Sequence, residues 1–194
     1  MNRPKFYKSF RSRRYHESKN LQASIQYLLN ESKKIILDIG FGTGESTIDL
    51  NDIYEDHLVC GVEAYKPGIQ RLNNKNIPNH YGDALEFIEQ IDKNTISKIY
   101  MLFPDPWQKK KHRKRRLLNE YTFSIINKIL LKEGMLHFAT DNINYAIEAR
   151  DIIRKVSKQK INFSRNRNNR PVTKYEIKAL SKNKFVFDII YKKN

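Results

Sequence analysis

The chain has 194 residues, enough for one domain with its own core and too few for two of ordinary size. Hydrophobic content of 39% and charged content of 30% fit a globular protein in water, and no apolar run approaches the roughly 18 residues a membrane helix needs. Lys and Arg number 37 against 21 acids, a net charge of +16, and a balance this basic attracts polyanions such as nucleic acid or an anionic membrane surface.

Residues 1–20 carry seven Lys or Arg and one acid, and are predicted as a basic N-terminal arm; 21–194 are predicted as a single domain. "LQASIQYLL" has helical spacing, and "KIILDIG" reads as a buried strand. "HLVCGVE" is a second strand, followed by a helix start at "PGIQRLNNK". "IPNHYGDA" gives a short strand and turn, "ALEFIEQI" a helix, and "ISKIYMLF" another strand. "NEYTFSIINKILL" is apolar at positions 121, 123, 125, 126, 129 and 130, one helical face, which Gly134 is expected to end. "MLHFAT" is the next strand, "NINYAIEARDIIRKV" a helix, and "KFVFDIIYK" alternates as a half-buried strand does. The fold class expected is α/β and Rossmann-like, a mostly parallel sheet with helices on both faces and a C-terminal antiparallel strand. Ligands of such sheets bind beyond the C-terminal ends of the strands, so the residues after each strand are the candidates.

Cys60 is the one cysteine, so no internal disulfide forms and a reducing compartment, by default the cytoplasm, is expected. The five histidines are scattered, no Cys/His pair has metal-ligand spacing, and no metal is expected.

After the first strand comes "DIGFGTGEST", with Gly40, Gly42 and Gly44. Glycines here allow a tight turn and close backbone approach by a ligand. The dinucleotide pattern needs its third glycine where this chain has Glu45, an acid that repels a pyrophosphate and suits a cationic or zwitterionic ligand. Glu63, ending the second strand, can accept both hydroxyls of a ribose. By itself it does not separate a nicotinamide dinucleotide from S-adenosylmethionine. Asp83 can accept from an adenine amino group, although alone it reads better as a helix N-cap. Asp38 can meet a ligand ammonium, with a satisfied structural carboxylate as the rival. Taken together, these positions imply S-adenosylmethionine.

"FPDPW" follows the fourth strand. Pro104 and Pro106 hold Asp105 rigidly beside the expected donor, and Trp107 offers a face for base stacking, worth roughly 1–3 kcal/mol. In "QKKKHRKRR", residues 108–116, seven of nine are Lys or Arg, a track for phosphates. "ATDN" puts Asp141 at a strand end, where a carboxylate can accept from the N1–H and N2–H of guanine; an N-cap is the alternative. "RNRNNRPVTKYE" brings Arg165, Arg167, Arg170, Thr173, Lys174, Tyr175 and Glu176, a mixture suited to nucleotide contacts or to a plain basic loop.

The segments "DIGFGTGEST", "GVEAYKPG", "FPDPWQKKKHRKRRL" with "ATDN", and "RPVTKYE" resemble the bacterial tRNA (guanine-N7)-methyltransferase family, in its order, over roughly residues 35–180. The resemblance implies a Rossmann-like class I fold and methyl transfer from S-adenosylmethionine to a guanine of the tRNA variable loop. It implies donor binding by Asp38, Glu63, Asp83 and Asp105, with Asp105 as catalytic residue. Lys109, Asp141, Thr173, Lys174, Tyr175 and Glu176 are implied as tRNA contacts. Two positions depart from the pattern: Asp38 stands where Glu is common, and Gln108 where His or Pro is common. tRNA is the expected partner, with no membrane and no obligate protein partner, the chain acting as monomer or homodimer. The rival readings are an amino-group methyltransferase, a nicotinamide-dependent reductase and a non-catalytic RNA-binding protein.

Overall fold

The computed structural model describes residues 21–30, 32–164 and 166–194. The basic arm expected at 1–20 and Arg165 lie outside the described residues. The elements run α1 (Leu21–Leu29), β1 (Lys34–Ile39), α2 (Glu45–Ile53), β2 (His57–Glu63), α3 (Lys66–Asn73), β3 (Asn79–Tyr81), α4 (Ala84–Glu89) and β4 (Ile96–Leu102). A 3-10 helix at Lys110–Arg115 is followed by α5 (Glu120–Ile129), β5 (Leu130–Thr140), α6 (Ile143–Ser157), β6 (Phe163–Ser164), α7 (Lys174–Leu180) and β7 (Phe187–Lys192).

Among the described residues the strands form one sheet in the order β3-β2-β1-β4-β5-β7-β6. The first five run parallel; β7 is antiparallel to β5, and β6 to β7. The order reverses between β1 and β4, the switch point beyond which sheets of this kind take their ligands. The central strands are apolar runs because both their faces are buried. Ile35, Leu37 and Ile39 of β1 join a core with Phe87, Phe123, Ile126, Ala149 and Ile153 from α4, α5 and α6. Ile36 points the other way, toward Leu50 of α2, with Val59, Tyr100 and Ala139. Cys60 is a buried free thiol, and burial pushes its pKa up to about 12, so it is inert packing. No helix among the described residues is long and apolar enough to cross a membrane.

One boundary differs from the sequence reading. α5 ends at Ile129, not at Gly134, and β5 starts at the next residue. The amides of Asn94 and Thr95 take the carbonyls of Lys128 (3.1 Å) and Ile129 (2.8 Å), so the helix end is satisfied by the segment leading into β4. Gly134 lies inside β5 because an added Cβ would meet the backbone oxygen of Leu131 at 2.8 Å. Glu133 beside it is left-handed, φ 62°, where the β4–β5 register shifts.

Candidate active site at the strand ends

The glycine loop leaves β1 with Gly40, Gly42 and Gly44 at φ 74°, 63° and 92°, values that disfavour any side chain. At Gly40 and Gly42 nothing lies within 4 Å of where a Cβ would be. The loop therefore presents bare backbone to open space. Gly44 differs: a Cβ there would meet Leu72 Cδ2 of α3 at 3.1 Å, so one side of it lies against that helix. Gly68 of α3 is the hidden counterpart. A Cβ there would sit 1.9 Å from Gly42 O, so the helix holds the loop backbone to backbone. In the sequence, "PGIQRLNNK" signals only a helix start.

Glu63 ends β2 as expected and is committed to the loop. Its Oε2 accepts from Gly42 N at 2.8 Å, its Oε1 from Ala64 N (2.7 Å) and Tyr65 N (3.0 Å). Burial raises its pKa; these amides pull it back, and the charge of nearby Asp105 adds to the rise. Asp38 is buried in β1. Its Oδ2 accepts from Ser46 Oγ (2.8 Å) and Thr47 Oγ1 (2.9 Å). Its Oδ1 is buried with no hydrogen-bond partner among the described residues. Burial pushes this carboxyl up to about 6, against the two hydroxyls that lower it. A buried acceptor left over in this way is costly unless a donor arrives. Asp83 Oδ1 accepts from Leu85 N (2.8 Å) and Glu86 N (3.1 Å), the N-cap of α4. Glu45, the acid expected to repel a pyrophosphate, is compensated. It accepts from Thr43 Oγ1 and from Arg71 at 2.6 Å.

After β4 the turn carrying Asp105 is clamped at both ends. Phe103 and Trp107 flank it in left-handed backbone, φ 53° and 41°, a strain of about 1–3 kcal/mol each that surrounding contacts must hold. Phe103 N donates to Ala139 O at 2.8 Å, and Arg116 Nε to Pro106 O at 2.8 Å. Arg116 is not part of a phosphate track. It is 1% exposed, paired to Glu148 at 2.5 Å and stacked on Tyr145 at 4.6 Å. Lys109, Lys110, Lys111, Arg113 and Lys114 remain exposed, while Arg115 lies over the Trp107 ring at 5.1 Å. The indole thus carries a guanidinium from the tract itself.

Asp141 follows β5 but does not cap α6; Asn142 does, accepting from Tyr145 N at 2.9 Å. Asp141 Oδ2 instead accepts from Lys184 Nζ at 2.9 Å. Thr173 caps α7, accepting from Glu176 N at 3.2 Å. Lys174 Nζ donates to Thr43 Oγ1 of the glycine loop. Tyr175 is exposed and stacks on Phe103, centroids 6.5 Å apart. Glu176 is buried, accepting from Arg170 at 2.6 Å and pairing with Arg167 at 3.3 Å. Arg170, read from sequence as a nucleotide contact, is 3% exposed and also donates to Asp188 at 2.5 and 3.0 Å. Asp188 in turn accepts from His137, 2.8 Å away. Burial would lift the Asp188 carboxyl, but His137 and Arg170 hold it below its usual value. A signal was present: an acid inside the apolar alternation "FVFDII" demands a buried partner.

The geometry gathers Gly40, Gly42, Glu63, Asp83, Asp105 and Asp141 onto one edge, with Lys174 and Tyr175 reaching it from α7. The family model Methyltransf_4, "Putative methyltransferase", matches residues 32–189. The tRNA (guanine-N(7)-)-methyltransferase of Buchnera aphidicola subsp. Acyrthosiphon pisum (strain Tuc7) is 38% identical over 170 residues, 81% of this chain and 71% of that protein. The chain belongs to the tRNA (guanine-N7)-methyltransferase family. The enzyme of that name from Francisella philomiragia is 31% identical over 92% of this chain and 82% of its own. Solved structures agree on fold. A SAM dependent methyltransferase from Archaeoglobus fulgidus superposes with TM-score 0.58 at 14% identity, covering 90% of this chain and 91% of that one. One from Aquifex aeolicus gives 0.55 at 12%, covering 89% of each. For a tRNA (guanine-N7)-methyltransferase, three contacts are visible only in the fold: Gly68 against the glycine loop, Arg116 on the Asp105 turn, and Lys184 on Asp141.

Proposed function

We propose that this chain transfers the methyl of S-adenosylmethionine to N7 of a guanine in the variable loop of tRNA. The observation that carries the reading is one edge of the sheet where a buried carboxylate with one unpartnered oxygen, a bare glycine loop and a clamped Asp105 meet, with exposed cations alongside. The donor fits that edge. Asp38 Oδ1 lacks a partner and suits an ammonium, and the loop at Gly40 and Gly42 has room for a ligand against its backbone. Glu63, already accepting three amides, has lone pairs left for ribose hydroxyls. Asp83 caps α4 with one oxygen, so an adenine contact falls to its second. When bound, the donor supplies an electrophilic methyl on a sulfonium.

The protein's share of the chemistry is positioning and charge. N7 of guanine has a lone pair at neutral pH and needs no general base. In-line alignment supplies most of the rate, roughly 7–11 kcal/mol in favourable systems. Positive charge grows on the purine as the methyl arrives, and a fixed carboxylate beside it stabilises that charge. Asp105 has this role, held by two prolines, by Arg116 on Pro106 O and by Phe103 on β5. Asp141 takes the donor edge of the guanine, displacing Lys184. Lys109 and its exposed neighbours hold phosphates. Glu176, bound to Arg170, acts by fixing α7 and not by touching the base. A tRNA substrate and a chain with a single cysteine support a cytoplasmic location.

The test is methylation of an unmodified tRNA transcript with labelled donor, nuclease digestion and mass spectrometry. The expected product is 7-methylguanosine in the variable-loop fragment. A methyl on an adenine amino group, or none with any tRNA, rejects the reading.

A further inference from the structure

We propose that Phe185 is a stacking platform for an unpaired tRNA nucleotide next to the target guanine, presented by the loop between α7 and β7. The inference rests on the tRNA reading of the site above.

Phe185 is 80% exposed, more than any other large apolar side chain among the described residues. At that exposure the ring adds little to the core, and its surroundings say what would cover it. Lys178, Lys182 and Lys184, near it in the chain, are exposed, Lys184 with its ammonium on Asp141, and no acid occurs between Glu176 and Asp188. An open aromatic ring set among ammonium groups matches an oligonucleotide, phosphate to cation and base to ring.

The loop is built rather than slack. Lys184 N donates to Ala179 O at 3.0 Å and Asn183 N to Leu180 O at 2.9 Å. With Asn183 at φ 52°, these are the two bonds of a Schellman closure. The ring is therefore carried by a fixed turn, which lowers the ordering cost of binding. Its place is equally fixed. β7 enters the sheet antiparallel, pairing Phe187 with Thr140 at the end of β5. The loop before β7 thus opens on the edge that holds Asp105 and Asp141. Lys184, the residue before Phe185, is the one whose ammonium sits on Asp141 Oδ2 at 2.9 Å. When guanine takes Asp141, Lys184 is released toward a phosphate and Phe185 receives the adjoining base. A target base must leave its stack to be reached, and the ring replaces stacking its neighbour loses.

The experiment uses the full chain as wild type, Phe185→Ala and Phe185→Trp, with a tRNA transcript carrying 2-aminopurine beside the target guanine. Expected for Phe185→Ala is a tRNA KM raised about tenfold, with kcat, S-adenosylhomocysteine affinity and melting temperature unchanged. Phe185→Trp restores KM. The 2-aminopurine fluorescence is quenched by the wild type and not by Phe185→Ala. Unchanged KM and quenching overturn the inference while leaving the methylation reading intact. A KM change accompanied by a change of oligomeric state also overturns it, assigning the ring to a second copy. A wild type that methylates no tRNA sinks the site reading and this inference together.

Discussion

Lys174 Nζ donates to Thr43 Oγ1, joining the start of α7 to the glycine loop across 131 residues of chain. The proposed tRNA side and the proposed methyl-donor side of the site are therefore tied by one hydrogen bond. Lys174→Ala should weaken both S-adenosylhomocysteine affinity and tRNA KM by about fivefold, the worth of one exposed charge-assisted bond. Calorimetry and steady-state kinetics measure the two sides. A loss confined to tRNA would show that the tie is not felt at the donor.

Asp38 gives two pH slopes of opposite sign. Burial, net of the Ser46 and Thr47 hydroxyls, raises its carboxyl from 3.8 to about 6. A carboxyl raised in the folded state binds more protons there than unfolded, so its contribution to stability declines as pH climbs from about 4 to about 6. Asp38→Asn removes that penalty, and the ligand-free variant should be more stable at neutral pH by up to about 3 kcal/mol. Donor affinity slopes the other way: only the carboxylate attracts an ammonium, so wild-type binding of S-adenosylhomocysteine weakens as pH falls through about 6. The variant should bind weakly and without that inflection. A flat wild-type titration removes Asp38 from the donor site.

Asp105→Asn keeps the shape of the turn and deletes the charge. Turnover should fall about 100-fold or more, while the tRNA dissociation constant stays within about twofold. Equal turnover in the variant removes its electrostatic role.

The cationic tract should divide into two kinds of residue. Lys110→Ala with Lys111→Ala should leave melting unchanged and reduce the salt slope of tRNA binding by about 0.7–0.9 per charge removed. Arg116→Met should cost about 3 kcal/mol of stability, since it empties a buried site facing Glu148, Tyr145 and Pro106 O. It should also lower kcat, because the Asp105 turn loses its clamp. Urea unfolding and salt titrations separate the two.

Glu176→Gln is expected to behave as a stability variant. It leaves the Arg170 guanidinium, 3% exposed, with one carboxylate instead of two, at a cost of about 3 kcal/mol. Its tRNA KM should recover at a temperature low enough to restore folding. A persistent KM defect in fully folded protein would return Glu176 to a direct tRNA contact.

What the sequence showed plainly were the elements whose signal is local. β2 begins and ends where "HLVCGVE" does, because a strand buried on both faces is a run of apolar residues between turns. Asp83 declared itself as a cap because N-capping needs only the next three residues. What stayed hidden depended on distant partners. α5 stops because Asn94 and Thr95 reach its last carbonyls, and periodicity through Leu130 carries no trace of that. α2 and α7 carry no clear local signal; "RPVTKYE" has the composition of a nucleotide-binding loop, yet Arg170, Glu176 and Asp188 fold it into the core. Arg116 belonged by composition to the cations before it, and only burial tells it apart.

The reversed direction of β7 has an evolutionary corollary. Because that strand starts at the proposed reactive rim, the short connection before it can change length or side chains while the strand keeps its pairing with β5. Such changes alter what the rim grips without disturbing the cradle formed by the first half of the chain. Substrate range in enzymes built this way can drift through one surface connection, with the chemistry held constant underneath.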